Sequence, residues 1–183
     1  MRLSTVTAIF LDGRAHNGGV PITVSFMMQS TRVVVAATVL RLFLGWYMLI
    51  DGLQAVTTPG WSASSFLLSA KTFPHFYAWF ALPMNRWWVN PLNAWGITLI
   101  GAALLFGVGV RIASWAGALL MILYYFPHYA FPIVPHGYVI ENHLIYASAF
   151  VLFAMWPAAQ DFGLARYLRH SFLGQVPILR ALI

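Results

Sequence analysis

The chain has 183 residues, of which 61% are hydrophobic, 16% aromatic and only 8% charged; a soluble domain carries about 25% charged residues, so an ordinary soluble protein is excluded and lipid is the expected solvent. There is no cysteine, which removes thiol catalysis, disulfide relays, iron–sulfur ligation, c-type haem attachment and Cys-based zinc sites together. The formal charge of +6 is spread over single basic residues, a pattern that holds loops at the cytoplasmic face of a membrane and does not suit nucleic acid.

The first thirty residues, "MRLSTVTAIFLDGRAHNGGVPITVSFMMQS", contain an apolar run over 6–11 that is too short for the core of a signal peptide and is followed by Asp12 and Arg14. Residues 1–31 read as a flexible leader, with Met27 and Met28 as alternative starts. Four apolar runs follow, over 33–56, 91–110, 114–134 and 139–156, each close to the 20 residues that cross a bilayer. Backbone groups in lipid must be satisfied within the segment, so the runs are expected as helices. Strict alternation is absent, which argues against a barrel. The expected fold is all-α: a polytopic four-transmembrane-helix bundle over 32–160, with an outer interfacial helical segment between helices 1 and 2.

That segment, 57–90, opens with "PGWSASSFLLSAK" and continues as "FYAWFALPMNRWW". Its turn residues and headgroup-seeking aromatics suit the outer membrane surface, and Pro74 should divide it into two short pieces. The tail over 161–183 sets Leu164, Tyr167, Leu168 and Phe172 beside Arg166 and Arg169, an amphipathic cytoplasmic anchor. With four spans, Arg2, Arg14, Arg32, Arg111, Arg166, Arg169 and Arg180 fall on one side and Lys71 and Arg86 on the other. Positive-inside then puts both termini in the cytoplasm of a multi-pass inner (cytoplasmic) membrane protein.

That orientation sets the depth of the polar residues. Asp51 and Gln54 end the first span near the outside, and Asn93 begins the second there. His128 lies about 21 Å up the third at about 1.5 Å per residue, and Glu141 and His143 open the fourth. Polar groups at a shared depth within a bundle point to function. Pro127 cannot donate to the Leu123 carbonyl, so the third helix is expected to kink and leave an acceptor free; Tyr124, Tyr125 and Tyr129 offer flat surfaces for a ring-shaped ligand beside it. Each residue also has a structural reading. Glu141 suits a first helical turn through the helix dipole. Spaced two apart, Glu141 and His143 should point about 200° apart on a helix. His128 can be a packing histidine, and Asp51 can mark the water boundary. Arg41, about 12 Å from the inner end of its helix, either snorkels or meets an inward partner. Gly45, Gly52, Gly96, Gly101, Gly107, Gly109 and Gly117 are expected to permit close helix contact. No nucleotide-binding loop, serine elbow or zinc-helix motif is present, and no metal site is expected. Haem b on His128 and His143 is weighed and set aside, since histidine spacing alone discriminates poorly.

"LRLFLGWYMLIDGLQAV", then "PGWSASSFLLSA", then "ENHLIYA" opening the last span resemble the DoxX/DoxD family, in particular its DoxD-like branch, over 32–169. Arg41, Gly45, Gly52, the Pro59-Gly60-Trp61 turn, Glu141 and His143 carry the resemblance, while Asp51 and the following "GLQAV" depart from it. The resemblance implies a membrane subunit of thiosulfate:quinone oxidoreductase, which passes electrons from thiosulfate or a similar sulfur anion to membrane quinone beside a second subunit. On that reading His143, His128 and Arg41 are the catalytic candidates. Asp51, Trp61, Lys71, Tyr125 and Glu141 are the binding candidates, and quinone is the electron acceptor. Two other readings stand beside it. One is a non-catalytic accessory subunit of a larger membrane complex that binds lipid, quinone or pigment. The other is a solute transporter, which the lack of an internal repeat disfavours.

Overall fold

A computed structural model describes residues 31–134 and 137–156. The leader and the 161–183 tail lie outside the described residues, Thr31 apart. Helix α1, Thr31–Thr57, buries Val34, Ala37, Arg41, Leu44, Met48, Gly52 and Ala55 at three- or four-residue steps. Val35, Val39, Phe43, Trp46 and Ile50 on its remaining faces are exposed. A helix apolar all round with only one stripe packed is one whose other faces meet lipid.

Two short helices follow, α2 (Ser64–Leu68) and α3 (Pro74–Ala81), then a 3₁₀ turn at Pro83–Asn85 and helix α4 (Arg86–Phe106). Pro74 divides the outer segment as expected and sits in the first turn of α3, where its missing N–H costs nothing. Helix α4 begins earlier than the expected Pro91. At Pro91 it forfeits only the bond to the Trp87 carbonyl near its start, a loss it tolerates there. Gly107 and Gly109, with φ of 70° and 65°, close the turn into α5 (Val110–His128). Their role is this left-handed turn, which side chains with a Cβ resist, and not the close helix contact expected of them.

Helix α5 stops at His128 and does not run on to Val134: Tyr129 is extended, and the prolines beyond cannot continue the helix. The link to the last helix includes a two-residue antiparallel ladder, Ile133–Val134 (β1) with Gly137–Tyr138 (β2). The expectation of helix alone missed this element. Helix α6, Asn142–Met155, has 14 residues. Three helical stretches, Val33–Thr57, Pro83–Phe106 and Val110–His128, are long and apolar enough to cross a membrane; α6 is apolar but shorter.

The bundle is built from two tight pairs, α1 with α4 and α5 with α6. Glycine makes both possible. A Cβ on Gly45 would come within 2.9 Å of the Leu104 Cβ, and one on Gly52 or Gly101 would collide with the Thr98 or Leu49 backbone. A Cβ on Gly117 would meet the Phe150 ring at 2.5 Å. Gly96 has open space around it, so it is not a contact glycine. Met48, Ile97, Leu104, Met121, Phe150 and Phe153 fill the centre.

Candidate functional site

The segment between α1 and α4 is tied down over the start of α4 and the end of α5. Asn90 Oδ1 accepts from the Ala63 N–H at 3.2 Å and from the Ser62 hydroxyl at 3.3 Å. The Lys71 N–H donates to the Pro127 carbonyl at 3.2 Å, and the Phe131 N–H donates to Thr72 Oγ1 at 2.9 Å. The Tyr77 hydroxyl donates to the Leu123 carbonyl at 2.9 Å. That carbonyl is the acceptor Pro127 leaves, so it is not free: α3 takes it. Burial pushes the Tyr77 phenol up from its ordinary value, so it stays a donor. A proline inside a helix thus becomes the docking point of the segment that covers it.

Beneath this cover lies a cavity of about 510 Å³. Asp51 and Gln54 of α1, Asn93 of α4, Tyr124 and His128 of α5, and His143 and Tyr146 of α6 contribute to its wall. Trp61, Ser62, Ser65 and Phe66 close it from the outer segment. Of the polar residues that the depth argument set at one level, Asp51, Gln54, Asn93, His128 and His143 share one chamber, and Glu141 does not line it.

Its chemistry centres on two histidines. The His128 and His143 rings lie 4.8 Å apart between centroids, tilted by 40°. Phe66 sits 5.2 Å from His128, and Tyr124 sits 6.3 Å from His143. His143 Nδ1 is 2.6 Å from Glu141 Oε2, and His128 Nδ1 is 3.2 Å from the Tyr124 carbonyl. A carboxylate and a carbonyl can only accept, so both Nδ1 atoms carry hydrogen and Nε2 is the basic nitrogen of each neutral ring. The Tyr124 hydroxyl donates to Asn93 Oδ1 at 2.7 Å, which orients both groups on the cavity wall.

The helical-wheel separation of Glu141 and His143 does not apply. Glu141 is the N-cap of α6, with extended backbone, and its carboxylate accepts the His143 N–H at 2.9 Å as well as the ring N–H. A cap residue lies off the helix, so it can turn back onto the residue two ahead. The pair works as one unit, with Glu141 buried behind His143 and His143 facing the cavity.

The DoxX family model matches residues 36–130, more than half of the chain. The chain belongs to the DoxX family. No curated protein and no solved structure matches it. In this DoxX protein the matched stretch runs from α1 to just past the end of α5, and the Glu141–His143 pair lies beyond it. Of the eight candidate residues, Asp51, Trp61, His128 and His143 line the cavity. Glu141 stands behind His143. Arg41 is 1% exposed and buried lower on α1, away from the lining. Lys71 is exposed on the outer segment, where its backbone makes the contact to Pro127. Tyr125 is buried and donates to the Val139 carbonyl at 2.7 Å, tying α5 to the approach to α6. Among the described residues no cluster of three metal-ligating side chains occurs. Tyr47 and Phe66 join the lining without having been anticipated. Tyr47 was legible, since it precedes Asp51 by one turn; Phe66 was not, because only folding of the outer segment brings it over His128.

Proposed function

We propose that this DoxX protein is the quinone-binding membrane subunit of an oxidoreductase, a DoxD-like role in which a small sulfur anion such as thiosulfate is the electron source. The observation that carries the reading is the His143–Glu141 pair at 2.6 Å, facing a roofed cavity of about 510 Å³ with aromatic and hydrogen-bonding walls. Such walls suit a flat, neutral ring with carbonyl oxygens better than an anion: among the described residues Asp51 is in the lining, and no Lys or Arg is. Quinone supplies the acceptor chemistry, taking two electrons and two protons to become quinol, while two thiosulfates joining as tetrathionate release two electrons. Within this chain, His143 protonated at Nε2 is placed to hydrogen-bond a ring oxygen and pass it a proton. Glu141 stabilises the charge that the imidazole carries before that transfer and holds its tautomer. His128, stacked against His143, is the second donor.

In this reading α6 makes the fourth crossing, and α2 and α3 lie at the outer surface. Both termini are cytoplasmic in an inner membrane, and a second subunit brings the electrons. Among the described residues the cavity lining holds no Lys or Arg, which also favours a second reading, a non-catalytic accessory subunit that holds quinone or lipid for a larger complex. Thiosulfate-dependent quinone reduction, measured on the gently extracted protein with its copurified partners, separates the two. Loss of turnover in His143→Ala with partners retained supports catalysis. Undiminished turnover in that variant, or none in the wild type, removes the catalytic reading.

A further inference from the structure

A second hollow, also about 510 Å³, lies between α1 and α6 on the face of the bundle. Leu40, Phe43 and Leu44 form one wall, and Ala149 and Leu152 belong to the other. Tyr47 and Tyr146 line both this groove and the roofed cavity. Their rings stand 5.5 Å apart at 44°, one from each helix.

The two hollows are consecutive lengths of one track. Along α1, Leu40, Leu44, Tyr47, Asp51, Gln54 and Thr58 recur at steps of three or four, so they occupy one stripe. The stripe is apolar below Tyr47 and polar above it. On α6, which runs the opposite way, His143, Tyr146 and Ala149 repeat the pattern: polar above the tyrosine, apolar below. Both helices therefore change character at the same level. Leu40 lies about 10 Å below Tyr47 by helical rise. Helices α1 and α6 belong to different tight pairs and meet only sparsely along their seam, with the Tyr47–Tyr146 contact at the junction of the two hollows.

We propose that this seam is the lateral portal and tail groove for a membrane-dissolved amphiphile with a neutral ring head and a prenyl tail. The ring occupies the roofed cavity, the tail descends past Tyr47 and Tyr146, and its first segments lie on Leu40, Leu44 and Leu152. This rests on the quinone reading above and adds its route and the need for a tail. The direction fits a lipid of the outer leaflet, head outward and tail toward the bilayer centre. A phospholipid has the same shape, but its phosphate would face Asp51 with no Lys or Arg among the described residues of the lining.

Two probes sharing a ring test this: menadione, which has no tail, and menatetrenone, the same naphthoquinone with a prenyl tail. Their affinities are compared for wild type, Ser148→Trp and Leu40→Trp in nanodiscs. Both positions are exposed in the groove, one on each wall, so an indole there fills the groove without entering the core. The expected result is binding of menatetrenone weakened about tenfold, as the close packing of the tail in the groove is lost, with menadione affinity and thermal unfolding unchanged. Unchanged menatetrenone binding in both variants overturns the groove and leaves the quinone reading standing. Equal loss of both probes also overturns it, because a filled groove should not touch the ring. A wild type that binds neither probe removes the quinone reading, and this proposal with it.

Discussion

Glu141 and His143 divide two tasks between adjacent turns of backbone. Glu141 satisfies the His143 N–H at the start of α6 and at the same time fixes which imidazole nitrogen faces the cavity. Glu141→Ala removes the cap and should lower stability by about 1 kcal/mol, the usual cost of losing a capping acceptor. Glu141→Gln keeps an oxygen for that N–H and should cost less. His143→Ala keeps the N–H and the cap, so it should leave thermal stability close to wild type while abolishing quinone binding or turnover. A thermal-shift series paired with a binding titration checks all three. Normal binding in His143→Ala together with its loss in Glu141→Gln would invert the assignment.

Tyr77 is the other residue whose single contact has a wide reach. Tyr77→Phe removes the bond to the Leu123 carbonyl beside Pro127, a loss of about 0.5–1.5 kcal/mol for a part-buried hydrogen bond. Loosening the cover should also speed exchange of the backbone amides around Lys71 and Thr72. Hydrogen exchange confined to 70–78 is the expected signature, and protection equal to wild type there would show that the hydroxyl does not hold the segment.

Among the elements, α1 and α4 depend on backbone approach, since lipid offers no hydrophobic drive for two apolar helices to associate. Gly101 sits where a Cβ would meet the Leu49 backbone, whereas Gly96 on the same helix faces open space. Gly101→Ala should therefore destabilise the bundle by about 1–3 kcal/mol through forced separation. Gly96→Ala should be neutral, or stabilising by up to about 1 kcal/mol from helix propensity. Unfolding in mixed micelles distinguishes them, and equal effects would mean that the pair is not held by glycine contact. The same comparison shows why a list of glycines read along the chain overstates their common role: Gly107 and Gly109 serve a turn, Gly96 serves neither turn nor contact, and only the partner surface separates them from Gly45, Gly52, Gly101 and Gly117.

For the molecule as a whole, the orientation proposed above rests on charge. Reporter fusions at Lys71 and at Gln160 should report opposite sides, the first outside and the second cytoplasmic, because basic residues gather on the side opposite Lys71 and Arg86. Equal sidedness would remove α6 as a crossing and undo the orientation of the cavity and groove.

By itself the sequence determined the chemical setting. Apolar runs separated by prolines, glycines and single arginines dictate lipid-facing helices, because backbone in a bilayer must satisfy itself locally. The shared depth of Asp51, Asn93, His128 and His143 follows from counting residues at a fixed rise. Pro74 breaks the outer segment for a reason internal to its own ring. What the tertiary structure alone decided is who meets whom. Glu141 and His143 form a pair because the helix begins at Asn142, three residues into its apolar run, and the cap geometry cancels the angular separation a helix would impose. The carbonyl abandoned by Pro127 goes to Tyr77, 46 residues away in sequence, and no local rule selects that partner. The ladder between β1 and β2, the placing of Phe66 over His128 and the seam lined by Tyr47 and Tyr146 have the same origin. Local propensity sets where a helix can exist and what faces it has, but contacts between elements depend on the relative rotation of whole helices, which is settled only when all of them pack at once.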